Sequence, residues 1–387
     1  MENIFDSKIL TIILDERIDT TNAKEVEEQI FAVINENKPE KIILDAHKLE
    51  YISSVGLRVV LKIKKTVDDT EVINASLEVY DIFEMTGFTD ILTVKKSLRE
   101  ISVDGCEIIG KGGHGTVYRL DGDTILKLYG EYEPLNEIER EISYSKKAFV
   151  YGIPTAISFD VVKCGKCYGV VFELIKADTF ANRLKAEPEK LNEYSEKYNT
   201  LVKNLHETKA DTHIFSSTKD LYNKWADDMK KYYTDEEVQT LHKVINSIPD
   251  RDTFVHGDIH PKNIMVQDNE LLFIDMADLT YGHPIFDYAG LFLTHVLAKP
   301  FSEQLIGVKN EIAFPLFKNI LKSVFSGKSD EEFERIFNVV KGFGLMKYAM
   351  SPAVNKNQPA DLNARIIAKS KETFFPMAEK LIGAVDF

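Results

Sequence analysis

The strongest constraint on this chain is a polar segment in its second half that is followed closely by an apolar strand pattern. Residues 256–263 read H-G-D-I-H-P-K-N, and the next apolar run ends at Asp275. An aspartate in such a loop can orient an attacking hydroxyl and accept its proton, and an asparagine five residues later offers a neutral oxygen to Mg²⁺. The spacing therefore predicts Asp258 as the catalytic residue of a phosphoryl transfer, with Asn263 and Asp275 as ligands of Mg²⁺.

A glycine-rich motif lies upstream of this segment. Gly110, Gly112 and Gly115 fit the pattern G-x-G-x-x-G, and Val117 follows two places later. Because glycine has no Cβ, the backbone can approach a phosphate chain closely and can adopt positive φ. The motif alone is weak, since it also fits a dinucleotide fingerprint, which needs a helix after the third glycine, or a plain hairpin. Residues 116–129 instead read as strand, turn and strand, which is typical of a kinase glycine loop, so these four residues are predicted to bind ATP.

A single lysine, Lys127, interrupts the second of these strands. In an apolar strand such a residue often belongs to a solvated face, but in a kinase-like lobe it contacts the α- and β-phosphates and pairs with a helix glutamate. The helical pattern that follows offers Glu137 and Glu141. We favour Glu141 because its distance to the segment 152–154 suits this fold. Glu137, one turn earlier, is the alternative, and either residue could be a mere exposed charge.

Further segments carry a resemblance to a known superfamily. The resemblance rests on residues 256–263, 274–275, Gly282 and 286–289. These resemble the aminoglycoside phosphotransferase and choline kinase superfamily over roughly residues 105–387. The resemblance implies an α+β bilobal protein-kinase-like domain that uses ATP and Mg²⁺, with an N-lobe over about 105–175 and a C-lobe over about 176–387. Within it, Asp287 is expected to be structural and to tie the loop region together.

The same resemblance gives the hinge and the class of acceptor. The apolar run Val170–Ile175 would form the lobe hinge, where backbone groups near Glu173 and Ile175 meet adenine, although a plain buried strand is the alternative. Glycine replaces the arginine of the protein-kinase H-R-D motif, and no A-P-E follows Asp275. These departures favour a small-molecule hydroxyl acceptor over a protein serine, although kinases of this superfamily can act on proteins. The family would build its acceptor site from residues 177–250 and the C-terminal helices.

The first hundred residues read as a separate domain in which short strands alternate with amphipathic helices. The strands are expected at Ile9–Leu14, Lys41–Asp45, Glu71–Asn74 and Ile91–Val94. Helices are expected to begin at Thr20 or Thr21, at about Val55 and after Ser76, which would be an N-cap. This alternation predicts an α/β layer domain over residues 1–102. A turn signal at Asp104-Gly105 separates it from the second domain.

The segment around Ser54 gives the first domain its most distinctive feature. Two hydroxyls and a glycine lie at a strand-to-helix junction, where outward-pointing N–H groups would favour a phosphate on Ser54. Alternatively, Ser53 or Ser54 is simply the N-cap. Residues 49–58 and 83–88 resemble the STAS domain of anti-sigma factor antagonists, in which the residue at the position of Ser54 is phosphorylated and switches binding to a partner. The resemblance thus implies an anti-sigma-factor-like partner, although Ser53 replaces an aspartate found in that family.

Composition bounds the remaining functions. A formal net charge of −14 argues against a nucleic-acid groove, which needs clustered Lys and Arg. No run of 18 apolar residues predicts a membrane span, and no secretory signal pattern is seen in the first six residues. The three cysteines fit a reducing cytoplasm, which is the expected location. Cys164 and Cys167 could be half of a zinc site, but the two residues between them favour a hairpin turn.

Three functional hypotheses follow. In the first, the chain is an active small-molecule phosphotransferase that is regulated through its STAS domain. In the second, it is a signalling protein whose kinase-like domain phosphorylates Ser54 or a serine of a partner. In the third, the STAS domain captures an anti-sigma-like partner, and the second domain only senses nucleotide.

Asp227 and Asp228 could face a cationic acceptor, but a solvated helix face is the favoured interpretation.

Overall fold

The residues that a computed structural model of the chain describes are 2–112, 115–355 and 358–387. The chain divides into two compact units, Met1–Ile101 and Ser102–Phe387, and each is described by itself below. Two residues of the glycine motif, Gly113 and His114, lie outside the described residues. Among the residues that are described, no helix is long and apolar enough to cross a membrane.

The first unit is a mixed sheet flanked by helices. Its strands are β1 (Asn3–Asp6), β2 (Ile9–Ile13), β3 (Arg17–Ile18), β4 (Lys41–Asp45), β5 (Tyr51–Ile52), β6 (Asp69–Ala75), β7 (Thr93–Lys96) and β8 (Arg99–Glu100). Its helices are α1 (Ala23–Asn37), α2 (Ser54–Thr66) and α3 (Leu77–Met85). The sheet has the order β1-β2-β4-β6-β7, with β1 antiparallel to β2 and the other neighbours parallel. A separate short parallel pair joins β3 to β5.

The alternation of burial along the strands explains why this sequence forms this sheet. In β2 the side chains of Leu10 and Ile12 are fully buried, and in β4 those of Ile42 and Leu44 are, while the residues between them are less buried. Successive side chains of a strand point to opposite faces, so this period of two packs one face of each strand into the core. The predicted α/β layer arrangement is therefore present.

The observed strands differ from the expected ones at several places. The last strand of the sheet begins at Thr93 and not at Ile91, because a short 3₁₀ turn over Phe88–Asp90 follows α3. Gly87 begins this turn with φ of +73°, which suits a residue without a Cβ. The edge strand β1 was not expected, since its side chains are exposed and carry no burial pattern.

The second unit begins with an antiparallel sheet. The strands of this unit are β9 (Glu107–Gly112), β10 (Gly115–Arg119), β11 (Thr124–Tyr129), β12 (Ser158–Cys164), β13 (Cys167–Glu173), β14 (Asp178–Thr179), β15 (Phe254–Val255), β16 (Ile264–Gln267), β17 (Glu270–Phe273) and β18 (Thr280–Tyr281). Five of them follow the order β12-β13-β11-β10-β9. Helix α4 (Leu135–Val150) packs against β12 and β13 and contributes Ile138 and Ile142 to a small core with Tyr129 and Val170.

The rest of the second unit is mostly helical. Its helices are α5 (Phe180–Ala186), α6 (Leu191–Glu207), α7 (Thr218–Asp228), α8 (Asp235–Asn246), α9 (Ile285–Phe292), α10 (Ser302–Ile306), α11 (Asn310–Val324), α12 (Asp330–Ala349), α13 (Ser351–Val354) and α14 (Ala360–Thr373). Helix α9 packs against α12, α6 against α11, and α7 against α8, so that their apolar faces share one large core. The hairpin of β16 and β17 lies between the two polar segments of the predicted site.

The segment between Cys164 and Cys167 is a hairpin turn. The two cysteines face each other across the antiparallel pair of β12 and β13, and Gly165 adopts φ of +59° in the turn between them. Their thiols are free, as is that of Cys106. Within the described ranges, no group of three or more His, Cys, Asp and Glu side chains is arranged to hold a metal ion.

Candidate active site

The loop that carries Asp258 begins with a glycine that no other residue could replace without a rearrangement. Gly257 adopts φ of +86°, and a Cβ placed on it would lie 2.9 Å from the carbonyl oxygen of Asp278. A side chain at this position would therefore meet both backbone strain and a steric clash. This geometry explains why glycine, and not the arginine of H-R-D, precedes Asp258 in this chain.

A buried carboxylate fixes the start of the same loop. Asp287 accepts hydrogen bonds from the backbone N–H groups of His256 and Gly257 at 2.9 and 2.8 Å. The ring of His206 lies 2.8 Å from the same carboxylate. Burial alone would raise the pKa of Asp287, but the hydrogen bond and charge of His206 and the charge of His256 outweigh it and hold the pKa below its ordinary value. Asp287 thus ties α9 to the loop, as expected.

The Asp258 carboxylate is held by two side chains of its own loop. Asn263 donates its amide to the carboxylate at 3.0 Å and to the Asp258 carbonyl at 3.1 Å. The Nε2 atom of His260 lies 3.4 Å from the same carboxylate oxygen. Burial raises the pKa of Asp258. The hydrogen bond and charge of His260, and then the charge of Lys347, lower the pKa by more, so the net pKa is below its ordinary value. The carboxylate is half exposed and ionised, as a proton acceptor must be.

A second charged cluster forms around Lys127 of β11. The Lys127 ammonium bonds Glu141 at 2.8 Å and Asp275 at 2.9 Å. Burial lowers the pKa of Lys127, but the charges of Asp275 and Glu141 raise it more, so the net pKa lies above its ordinary value. Glu137, the alternative partner, pairs instead with Arg140 on the same helix at 2.6 Å. The lysine therefore joins the sheet, α4 and the segment after β17.

The backbone brings the two clusters together. The N–H of Ile274 donates to the carbonyl oxygen of Asn263 at 2.9 Å, so the residue before Asp275 is bonded directly to the loop of Asp258. Asp275 itself adopts φ of +63°, a conformation that non-glycine residues rarely adopt. Such strain concentrates at functional sites, where the surrounding structure holds it in place.

The described glycines of the motif lie on two antiparallel strands. Gly115 pairs with Gly112 and Val117 pairs with Gly110 across β9 and β10, while Val117 also faces Lys127 across β10 and β11. A strand, and not a helix, follows Gly115, so the dinucleotide interpretation is wrong. A Cβ on Gly115 would lie 2.3 Å from the carbonyl oxygen of Leu128, which makes glycine necessary for strand pairing as well.

The predicted hinge lies at the end of β13. The N–H of Glu173 donates to the Ile157 carbonyl at 3.0 Å, and its carboxylate accepts from the Ile157 N–H at 2.7 Å. The next residue, Leu174, donates to the carbonyl of Asp123 at 2.7 Å. Ile175 is almost buried, yet no described residue accepts a hydrogen bond from its N–H. An N–H group without a partner among the described residues can donate to a ligand such as an adenine ring.

The donor set beside Lys127 fits a magnesium ion bound with a nucleotide. Asn263 uses its amide nitrogen to bond Asp258, which leaves its side-chain oxygen as a ligand, and Asp275 uses one carboxylate oxygen for Lys127 and retains the other. Mg²⁺ prefers such oxygen ligands, and it is commonly held by one or two protein groups together with substrate phosphates. The two residues alone would hold the ion weakly, so the nucleotide would complete the site.

A cavity of about 260 Å³ opens beside Asp258. Its lining includes Trp225 and Tyr222 of α7 and Lys347 of α12, as well as Asp278. Lys347 was not predicted as a site residue, although a single lysine in the apolar C-terminal part of α12 is a detectable signal. Asp227, one of the two aspartates that could face a cationic acceptor, is exposed and pairs with Lys230 at 2.7 Å.

The junction before α2 separates the roles of the two serines in the first unit. Ser53 is the N-cap, and its hydroxyl accepts from the N–H groups of Val55 and Gly56 at 3.3 and 3.4 Å. Ser54 is the first residue of the helix and is exposed. The hydroxyl of Ser54 is therefore not needed for capping.

Two domain families match the chain. The STAS domain family matches residues 2–101, and the phosphotransferase enzyme family matches residues 105–312, which is more than half of the chain. The chain therefore belongs to the phosphotransferase enzyme family and carries a STAS domain at its N-terminus. An α/β STAS domain followed by an α+β kinase-like domain is the fold class that the sequence predicted, and it is confirmed.

Individual proteins are similar to parts of the chain. The candidate anti-sigma factor antagonist BtrV of Bordetella bronchiseptica is 33% identical over 84 residues, which are 21% of this chain and 72% of BtrV. A streptomycin–ATP complex of the aminoglycoside phosphotransferase APH(2")-IIa is 15% identical, with a TM-score of 0.46, over 72% of this chain and 93% of that one. A choline/ethanolamine kinase family protein from Mesorhizobium loti is 16% identical, with a TM-score of 0.49, over 72% and 92% of the two chains.

Proposed function

We propose that the second domain transfers the γ-phosphoryl group of ATP to a hydroxyl acceptor, with Mg²⁺, and that the STAS domain regulates it. The observation that carries this proposal is the contact between Lys127, Glu141 and Asp275 beside the bonded pair Asp258 and Asn263. Phosphoryl transfer depends mainly on positioning and charge neutralisation, and this arrangement supplies both. The free N–H of Ile175 and the hairpin of the glycine motif support the proposed ATP site.

Each residue of the cluster has a definable part in the proposed reaction. ATP supplies the phosphoryl group, and Mg²⁺ would neutralise charge on its phosphates. The acceptor oxygen bonds to the γ-phosphorus, the bond from that phosphorus to the β–γ bridging oxygen breaks, and ADP leaves. Asp258 receives the hydroxyl proton on a carboxylate that Asn263 and His260 hold in place. Lys127, aligned by Glu141, is placed to contact the α- and β-phosphates.

The experiment that tests this proposal is ADP release from Mg-ATP by the full chain and by Asp258→Asn. The amide keeps the shape of the side chain but cannot accept the proton, so we expect turnover to fall by roughly 100-fold or more. Asp268→Asn is a matched control, because it makes the same change in an exposed turn between β16 and β17. Equal turnover in Asp258→Asn and the wild type would remove Asp258 from the mechanism.

A second candidate function is phosphorylation of a protein serine, either Ser54 or a serine of a partner. The observation that favours it is that Ser54 is exposed at the start of α2, while Ser53 alone provides the cap. Linkage in one chain raises the effective concentration of Ser54 at the second domain. Intact mass after incubation with Mg-ATP tests self-modification, with Ser54→Ala as the comparison. An unchanged mass of the wild type would argue against it.

The partner and the location of the protein also remain proposals. The similarity to BtrV supports binding of an anti-sigma-factor-like protein by the STAS domain. A pull-down with the full chain tests this, and failure to recover any such protein would weaken the regulatory role. The net charge of −14 argues against a nucleic-acid partner. The free cysteines support a cytoplasmic location.

A further inference from the structure

Two polar groups in the cavity beside Asp258 have no part in the proposed phosphoryl transfer. The Lys347 ammonium on α12 donates to the carbonyl oxygen of Gly257 at 2.9 Å, which places it next to the catalytic loop. The Tyr222 side chain on α7 is 2% exposed and lines the same cavity. Its hydroxyl makes no close hydrogen bond with a described residue, but it stands beside the Lys347 ammonium, which opposes the rise in the pKa of Tyr222 that burial causes. Buried hydroxyl groups usually have a close partner, so a ligand that bonds both the hydroxyl and the ammonium would complete this pair.

The lysine is charged and retains bonding capacity. Burial lowers the pKa of Lys347, but Tyr222 and the carboxylates of Asp258, Asp287 and Asp278 raise it more, so the net pKa lies above its ordinary value. An ammonium has three donors, and the Gly257 carbonyl uses one of them. The remaining bonding capacity of the ammonium can serve an anionic ligand, together with the neighbouring hydroxyl of Tyr222.

The rest of the cavity limits the size and shape of that ligand. A volume of about 260 Å³ lies just below the roughly 300–1,000 Å³ of pockets that hold drug-sized ligands. One wall is aromatic, because the rings of Tyr222 and Trp225 lie 4.7 Å apart and Phe286 stands 4.6 Å from Tyr222. Asp278 adds a carboxylate that can accept a bond from a second hydroxyl or an ammonium group. The cavity therefore suits a compact ligand with one anionic end.

We propose that the acceptor is a compact hydroxyl compound that carries a carboxylate or phosphate group. Lys347 and Tyr222 bind the anionic group, which directs the hydroxyl of the same molecule toward Asp258. This assignment rests on the proposed phosphotransferase function. It distinguishes acceptors with an anionic group from purely cationic ones, because only an anionic group can accept a charge-assisted hydrogen bond from Lys347.

The test uses pairs of acceptors that differ only by the anionic group, with ADP release as the measurement. The pairs are D-glycerate with ethylene glycol, L-serine with ethanolamine, and glycerol 3-phosphate with glycerol, and choline is added as a cation. A charge-assisted hydrogen bond contributes enough to predict that kcat/KM is roughly 10- to 100-fold higher for the anionic member of at least one pair. Equal values within all pairs, or a preference for choline, would overturn the assignment.

Variants of the lysine separate substrate binding from a merely structural role. We expect Lys347→Met to lower kcat/KM for the anionic member by roughly 10- to 100-fold and to remove its preference over the neutral member, with partial rescue by Lys347→Arg. A loss that is equal for both members would assign Lys347 only to holding the Gly257 carbonyl, and would contradict the proposal. Lys341→Met is a matched control, because Lys341 lies on the exposed side of the same helix.

Calorimetric binding distinguishes failure of this inference from failure of the proposed function. If no acceptor stimulates ADP release, glycerol 3-phosphate and D-glycerate are titrated into the wild type and Lys347→Met. Binding of either probe to the wild type that is lost in the variant supports the anionic site, even if the proposed reaction is wrong. Absence of binding to the wild type would overturn the anionic site. ATP turnover with neutral acceptors alone would overturn the inference and leave the proposed function standing.

Discussion

The buried carboxylate of Asp287 allows a quantitative test of how the catalytic loop is held. In Asp287→Asn, the amide nitrogen replaces one acceptor oxygen and must face a donor, either a backbone N–H of the loop or the His206 ring. Breaking a buried charged pair by changing one partner costs about 3–5 kcal/mol, because the remaining groups stay buried without a partner. We therefore expect the free energy of unfolding of the second unit to fall by about 3–5 kcal/mol.

The assay is urea unfolding followed by tryptophan fluorescence. Trp225 is the single tryptophan of the chain, and it lies in the second unit, so its emission reports that unit alone. Asp268→Asn is the control, since this exposed turn residue has φ of +48°, which asparagine also tolerates. A loss below about 1 kcal/mol in Asp287→Asn would show that these three contacts do not support the loop.

The pH dependence of the same comparison has a definite sign. Because the pKa of Asp287 in the folded chain is below its ordinary value, its stabilising contribution is present above the unfolded pKa of about 3.9. That contribution disappears as the pH falls through the folded value. The difference in unfolding free energy between the wild type and Asp287→Asn should therefore be full at pH 7 and should shrink below about pH 4. A difference that grows on acidification would contradict this assignment.

Two further pairs of variants test the ATP site and the cap of α2. Glu141→Gln leaves Lys127 without one of its two carboxylate partners, so we expect kcat/KM for ATP to fall roughly 10- to 100-fold. Glu137→Gln should have little effect, because Glu137 pairs with Arg140 on the surface of α4. Similar losses in the two variants, measured by ADP release, would contradict the pairing of Glu141 with Lys127. Ser53→Ala should destabilise the first unit by about 1 kcal/mol through loss of the cap, and Ser54→Ala should change it by less than about 0.5 kcal/mol. Equal effects in thermal unfolding followed by circular dichroism would refute the different roles of the serines.

Local patterns made much of the candidate site predictable. The loop around Asp258 and the end of β17 at Asp275 are short-range features, because their spacing and flanking apolar residues are visible in the sequence. The hairpin of the glycine motif was also predictable, since the turn at Asp121-Gly122 requires a strand and not a helix after Gly115. The choice between Glu137 and Glu141 was harder, because both residues lie one turn apart and either could face the lysine.

Contacts between distant segments could not be predicted from any local pattern. Lys347 and Tyr222 lie on helices separated by more than a hundred residues, and no spacing rule relates them to each other or to Gly257. Asp287 could be expected to tie the loop region together, but its partner His206 could not be named. The strain at Asp275 is likewise invisible, because aspartate favours no positive φ strongly enough to predict it.

By itself, the amino-acid sequence determined the two domain families, the order of their elements and the residue types that could support phosphoryl transfer. Those properties follow from periodic burial, turn chemistry and short motifs, which act between neighbours in the chain. Only the tertiary structure decided which glutamate meets Lys127, which serine caps α2 and which lysine faces the cavity beside Asp258. Such contacts depend on packing between distant segments, and their distances are set by the whole fold and not by local sequence.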